Sequence, residues 1–218
     1  TSYIFKEFFE RTLNSNNYES RSSNKFININ ERENYLFNSS INGIEKSDLI
    51  LLIGTNPRFE ATILNARIRK SFVNNLTKII SLNDVGDLTY PYEPLDGKTK
   101  TIFDIFEDNN EVSKKILDSK KPLIILGESF FRLQSAEFLF NLIKKFLKKN
   151  NKINNEWNSL NTLATNASTV GSLDLKIIND KKDIFSDLQA NNFEIIYLLG
   201  QDNLDFIKKN EFIIYQGS

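Results

Sequence analysis

The stretch DLILLIGTNPRFEATILNARIRKSF, from Asp48 to Phe72, carries the residues best arranged to do chemistry. An apolar run ends on Gly54, a short polar loop follows, and helical periodicity takes over. A junction of this kind can hold an anion. Gly54 permits a sharp turn, Thr55 and Asn56 offer hydrogen bonds, and the first N–H groups of the helix have no partner within it. Arg58 has two readings, a clamp on a phosphate or an ion pair with a carboxylate of a neighbouring subunit. Other features weigh against a ligand. Neither GxGxxG nor GxxxxGK(S/T) occurs, Pro57 closes the turn, and Glu60 suits the positive end of the helix while repelling a phosphate.

The rest of the chain narrows the chemistry by omission. Its 218 residues include no cysteine, no histidine and no methionine. The chain therefore supplies no thiolate for an iron–sulfur cluster and no imidazole for zinc or haem. Nucleophilic sites of the Ser–His–Asp or Cys–His kind are excluded for the same reason. Carboxylate acid–base chemistry and Mg²⁺ binding by oxygen ligands stay open. Yet Asp87, Glu93 and Asp96 are scattered through a middle loop at no spacing that nominates a pair. No catalytic, cofactor-binding or metal-ligating residue is assigned.

Charge and hydropathy restrict the partners. Acidic and basic residues number 28 each, so no global field draws the chain to nucleic acid or an anionic membrane. Lys144, Lys145, Lys148 and Lys149 crowd the last turn of one helix, where they suit the negative end of its dipole. No aromatic platform accompanies them, so a nucleic-acid partner is not expected. The apolar runs, such as Leu49 to Ile53, are far too short to span a bilayer. The opening TSYIFKEFFERT lacks the regions of a secretion signal, and Glu7 and Glu10 speak against a retained transit peptide. The skew towards Asn, Ile, Lys, Phe and Leu fits an AT-rich coding sequence, from an organelle genome or an AT-rich nuclear one.

The elements that would position the loop follow from periodicity. Ile4, Phe5, Phe8, Phe9 and Leu13 mark an opening helix, an Asn/Ser-rich loop follows, and ENYLFNSSINGIEKS reads as short helical turns. Leu49 to Ile53 is continuously apolar, the pattern of a strand covered on both faces of a parallel sheet. The helix after the loop turns Ala61, Leu64, Ile68 and Phe72 to one face. A strand near LTKIISLN, the loop DVGDLTYPYEPLDGKTK and a partly helical TIFDIFEDNNEVSKKILDS come next. PLIILG repeats the strand–glycine pattern at Gly127, and its helix directs Ala136, Leu139, Phe140, Ile143 and Leu147 inward.

A polar interval, NNKINNEWNSLNTLATNAS, holds the one tryptophan, Trp157, a core or interface anchor. FEIIYLLG, a helix near DNLDFIKK and a final strand EFIIYQG close the chain. This order predicts an α/β fold with a doubly wound, mainly parallel sheet and flanking helices. The loops GTNPRF, GESFF and GQDN are then expected at the carboxyl edge of one sheet. A chain that opens on a helix and ends beside a strand is expected to belong to a larger unit.

The same stretch resembles the large iron–sulfur subunit of respiratory complex I, in the region related to molybdopterin oxidoreductases. NYLFNSSINGIEKSD, VGDLTYPYEPL, KKPLIILGESFFRL, EWNSLNTLATNASTVGSLDL, IIYLLGQD and FIIYQGS are similar to that subunit in the same order. The resemblance implies residues 1–218 to be one partial molybdopterin-oxidoreductase-like domain, with two lobes divided near 150–156. It implies a structural element of the peripheral arm, on the matrix side of the mitochondrial inner membrane, with the molybdenum cofactor lost. Iron–sulfur clusters are expected on partner chains, and other peripheral-arm subunits are the expected partners. The family's cluster-bearing region is expected on a separate polypeptide, as in a split gene. Two other readings stay open: a molybdopterin-dependent oxidoreductase fragment holding a pterin guanine dinucleotide at Gly54–Arg58, and a free-standing nucleotide-binding regulator.

Overall fold

The computed structural model describes residues 1–21, 25–108, 110–179, 183–201 and 210–217. In chain order, α1 (Ser2–Glu7) runs into a π-helical turn (Phe8–Thr12), and two 3₁₀ turns (Arg32–Tyr35, Asn42–Lys46) precede β1 (Leu49–Ile53). Then come α2 (Pro57–Glu60), α3 (Thr62–Asn75), β2 (Lys78–Ser81), β3 (Glu93–Pro94), α4 (Thr99–Phe106) and α5 (Glu111–Asp118). β4 (Pro122–Leu126), α6 (Glu128–Phe131), α7 (Ala136–Lys149) and β5 (Leu160–Thr162) follow. The last elements are α8 (Thr169–Asp174), α9 (Ile184–Gln189), β6 (Ile195–Leu199) and β7 (Phe212–Gln216).

The chain divides into two compact units, residues 26–167 and residues 1–25 with 168–218. The larger contains a five-stranded parallel sheet in the order β3-β2-β1-β4-β5. β1 pairs with β2 on one side and β4 on the other, from Leu49 opposite Lys78 to Ile53 opposite Leu126. Alternation along a strand sends neighbouring side chains to opposite faces. Leu49, Leu51 and Ile53 accordingly join Ile124 and Leu126 in one core, beneath Ile102, Ile116, Phe140 and Ile143. Ile50 and Leu52 join Leu123 and Ile125 in a second core, beneath Ile44, Leu64 and Ile68. With both faces covered, each fully buried Leu or Ile contributes about 1.5–3 kcal/mol.

The expected α/β class and doubly wound parallel sheet are therefore present, and both helices bury the faces read from the sequence. Leu64 and Ile68 are buried with Ala61 and Phe72 packed alongside, and Ala136, Leu139, Phe140, Ile143 and Leu147 are all buried. Trp157 is a core anchor whose indole N–H donates to the Pro122 carbonyl. The opening segment is helical as expected, but Ile4, Phe8 and Leu13 of its apolar stripe are exposed.

Several expectations need correction. Residues 150–156 are not a boundary between lobes; they lie inside the larger unit. The Lys152 ammonium donates to the carbonyls of Leu117 and Ser119, tying this turn to the end of α5. The polar interval contains a strand, β5, that its composition hides. Asn161 is fully buried because its amide is satisfied: Oδ1 accepts from the Ser39 N–H and Nδ2 donates to the Ser159 carbonyl. β5 is the edge strand, and its outer side is met by the segment at Leu36 and Phe37, with the Thr162 N–H donating to the Leu36 carbonyl.

The third glycine-ended strand does not belong to the sheet of the other two. β6 pairs with β7, in parallel, within a separate two-stranded sheet of the smaller unit. The helix read near DNLDFIKK lies outside the described residues. In the smaller unit Phe5 packs edge-on against Tyr197, and Lys6 donates to the Leu175 carbonyl. No helix among the described residues is long and apolar enough to cross a membrane.

α3 ends abnormally. Its C-cap Leu76 sits in the left-handed region, at φ 53° and ψ 35°, while its N–H donates to the Phe72 carbonyl. That conformation costs a residue with a Cβ about 1–2 kcal/mol, which is why glycine is the usual occupant. Leu76 is 78% exposed, so little packing offsets the cost. Leu76→Gly should stabilise the isolated chain by up to about 1 kcal/mol after the glycine's extra unfolded-state entropy, read as a higher urea midpoint.

Candidate functional site

In a doubly wound sheet, ligands bind outside the carboxyl ends of the strands where the order reverses. Here that point lies between β1 and β4, beneath the Gly54 and Gly127 loops. The two loops are pressed together. The Gly127 N–H donates to the Ile53 carbonyl and the Ser129 N–H to the Gly54 carbonyl. Gly54 has φ +65°, and a Cβ there would run into the backbone nitrogen of Phe130. A Cβ on Gly127 would run into Thr55.

The donors that an anion would use are already engaged. Asn56 caps α2, its Oδ1 accepting from the Arg58 N–H at 3.2 Å. Pro57 occupies the first helical position, where its missing N–H costs nothing. Glu60 reaches back from the fourth position: its carboxylate accepts the Asn56 N–H at 2.8 Å and the Thr55 hydroxyl at 2.9 Å. This is the reciprocal half of a capping box placed one residue late. A carboxylate of the chain itself thus sits at the positive end of the helix. Ala61, at φ −153° and ψ 71°, then breaks the helical path, so the single expected helix is two, α2 and α3.

Arg58 resolves differently from either sequence reading. It pairs within the chain, donating at 2.6 Å to both the carboxylate and the carbonyl of Asp87. The Thr89 N–H and this guanidinium hold Asp87 below the usual carboxylate range. The other middle-loop acids are equally occupied. The Thr101 hydroxyl and the Lys98 N–H lower Asp96 to about 2, and Glu93 pairs with Lys115. Burial pushes Asp48 up, but the Ser119 hydroxyl and the N–H groups of Lys120 and Lys121 outweigh it and leave it lowered. Where a described carboxylate is displaced, the displacement is downward. A general acid at neutral pH needs the opposite shift. No cluster of three or more acidic residues suited to a metal occurs among the described residues.

A pterin nucleotide at this loop would need phosphate donors, room and, for molybdenum, a ligand. The donors are held by Glu60, Arg58 is held by Asp87, and the loops are in contact. The residues present do not fit that group.

The lysine cluster lines a cleft of about 550 Å³ with Asn28, Asn30, Asn34 and Glu31. Lys144 donates to the Glu31 carboxylate and to the Asn34 amide oxygen, both at 2.6 Å, and Glu33 lies 3.3 Å away. Lys144 lowers Glu31 to about 2. The helix dipole is therefore only a partial account of this basic turn, since Glu31 and Glu33, 113 and 111 positions before Lys144, pair with Lys144 and Lys148. No local pattern in the sequence announces that pairing.

Comparison with known proteins gives the lineage. A model of the family described as molybdopterin oxidoreductase matches residues 1–218, so the chain belongs to that family. The chain is 33% identical over 207 residues to the mitochondrial NADH dehydrogenase (ubiquinone) iron-sulfur protein 1 of Solanum tuberosum, covering 94% of this chain and 27% of that protein. It is 36% identical over 231 residues to the NADH-ubiquinone oxidoreductase 75 kDa subunit of Reclinomonas americana, covering 98% and 33% respectively. The mitochondrial NADH-ubiquinone oxidoreductase 78 kDa subunit of Candida albicans is 38% identical over 189 residues, covering 85% and 25%. The resemblance read from the sequence is borne out, and the chain spans a third or less of the length of these relatives.

Two outcomes test the geometry. Glu60→Gln removes the charge from both bonds and should destabilise the chain by about 1–2 kcal/mol in urea unfolding. Glu31 is depressed from an ordinary 4.5 to about 2, so its contribution is full above 4.5 and fades as pH falls towards 2. Glu31→Gln should lower the Tm at pH 7 and converge on the parent chain near pH 2.

Proposed function

We propose that this chain is a structural element of the peripheral arm of mitochondrial complex I, on the matrix side of the inner membrane. There it braces and shields the iron–sulfur path from NADH to ubiquinone without a redox centre of its own. One observation carries the reading: at the β1–β4 switch point the Glu60 carboxylate accepts the Asn56 N–H and the Thr55 hydroxyl, which supports a fold whose ligand position is closed from within. The names of the relatives, an iron-sulfur protein of NADH dehydrogenase among them, support membership of that assembly.

The composition supports the division of labour. With no cysteine and no histidine, the chain shapes and insulates a redox path whose clusters are ligated from outside these 218 residues. The partners are then other peripheral-arm subunits, including a separate polypeptide that carries the cluster-binding region.

Native-gel separation of detergent-solubilised mitochondria tests the proposal, with this chain detected by antibody. Co-migration with NADH dehydrogenase activity is expected, and migration only as a small free species would overturn it. Metal and pterin analysis of the purified particle tests the enzyme alternative: the expected molybdenum content is far below one per chain, and a stoichiometric amount with pterin would reverse the assignment.

A further inference from the structure

β5 ends its sheet, and the groups through which it could accept another strand are already taken. The Leu160 N–H donates to the Asn158 side chain at 3.0 Å, and the Leu160 carbonyl accepts from the Asn38 side chain at 2.7 Å. The Thr162 N–H donates to the Leu36 carbonyl at 2.9 Å. A sixth strand would need these same groups. Two further bonds tie the covering segment down: the Thr162 hydroxyl donates to the Asn34 carbonyl at 2.8 Å, and the Ser39 N–H to Asn161 Oδ1 at 2.9 Å. Residues 31–39 are thus a strap laid along the open side of β5.

The strap is held chiefly by polar contacts. None of its residues belongs to the buried part of either core; Phe37 packs against the second core from outside, and Tyr35 is buried apart from both. Its leading end is tied to α7 by charge. The Lys144 ammonium, on a side chain only 12% exposed, reaches Glu31 and the Asn34 amide oxygen at 2.6 Å and Glu33 at 3.3 Å. Lys148 stands 3.8 Å from both glutamates. The cleft of about 550 Å³ lies between this end of the strap and the C-terminal half of α7, so the ion pairs bridge a gap and do not seal a packed joint. A segment with few apolar contacts opens at a lower free energy than the core beside it.

We propose that residues 31–39 are an edge guard latched by Lys144, which lifts from β5 as a unit while the sheet beneath stays paired. Closed, the strap is autoinhibitory, since it occupies the hydrogen-bonding groups that would otherwise template a further strand. The inference is independent of the assembly membership proposed above.

Amide hydrogen exchange of the 218-residue chain in low urea tests the proposal. The Thr162 and Ser39 amides report the strap. The Ile124 N–H, bonded to the Ser159 carbonyl, and the Leu163 N–H, bonded to the Leu126 carbonyl, report the pairing of β4 with β5. Thr162 and Ser39 are expected to share protection at least tenfold below that of Ile124 and Leu163, with a shallower dependence on urea. Equal protection and equal urea dependence across the four amides overturn a separate opening unit. Lys144→Met keeps the bulk and removes the charge, and should lower the protection of Thr162 and Ser39 at least a further tenfold. Unchanged protection in that variant overturns the latch. The parent chain gives a second reading of the latch without any substitution: raising the salt from 0.05 to 1 M should lower Thr162 protection at least threefold by screening the half-exposed glutamates, and no response counts against it.

Discussion

The structure depends on β1 lying between two parallel neighbours with no solvent on either face. Five consecutive residues, Leu49 to Ile53, are buried, and alternate members serve two separate cores. That requirement fixes where helices must go, one group over each face, because a parallel sheet left bare would expose apolar surface that has no other use. It also fixes the close approach of the loops above β1 and β4, since adjacent strands in register deliver their following residues to one place. Gly54 and Gly127 are the residues that make this approach sterically feasible.

The loop above β1 satisfies its own polar groups from within the chain. A helix start with unpaired N–H groups must be satisfied by something. In this chain Asn56 takes the N–H groups of the first turn, and the N–H of Asn56 itself goes to Glu60, tethered four residues away and therefore present at a high effective concentration that a diffusing anion cannot match. Arg58, a residue type well suited to phosphate, is spent on Asp87 across the same corner. The strand order and the glycine turn are those of a ligand-binding switch point, while the donors at the loop are held by side chains of the chain itself.

Much of this is legible in the sequence, for physical reasons. Continuous apolar runs identify β1 and β4, because burial on both faces leaves no room for polar alternation. Helical spacing identifies the inner faces of α3 and α7 correctly. β5 is not legible, because Leu160–Thr162 is short and polar at its centre, and the buried Asn161 amide relies in part on Ser39, more than a hundred residues away. The partners of Arg58 and Lys144 are hidden for the same reason, as pairing of surface charges is set by tertiary geometry. The sign of the charge that Glu60 brings to the helix start is plain from the sequence, but its role as the occupant emerges only from the folded loop. β6 and β7 have the same strand–glycine pattern as β1, yet local pattern carries no information on which sheet a strand joins.

The spacing of β1 from its two partners bears on how the protein is made. β2 follows β1 by roughly 30 residues, so that pair can form soon after both have left the ribosome, at a modest loop-closure cost. β4 follows by more than 70. Through that interval the nascent chain presents one open edge of LILLI, a short, uncharged, strand-forming segment of the kind that recruits other chains. The edge stays open while residues 82–121 are being made. The most secure strand of the finished fold is the most exposed to error while it is being built.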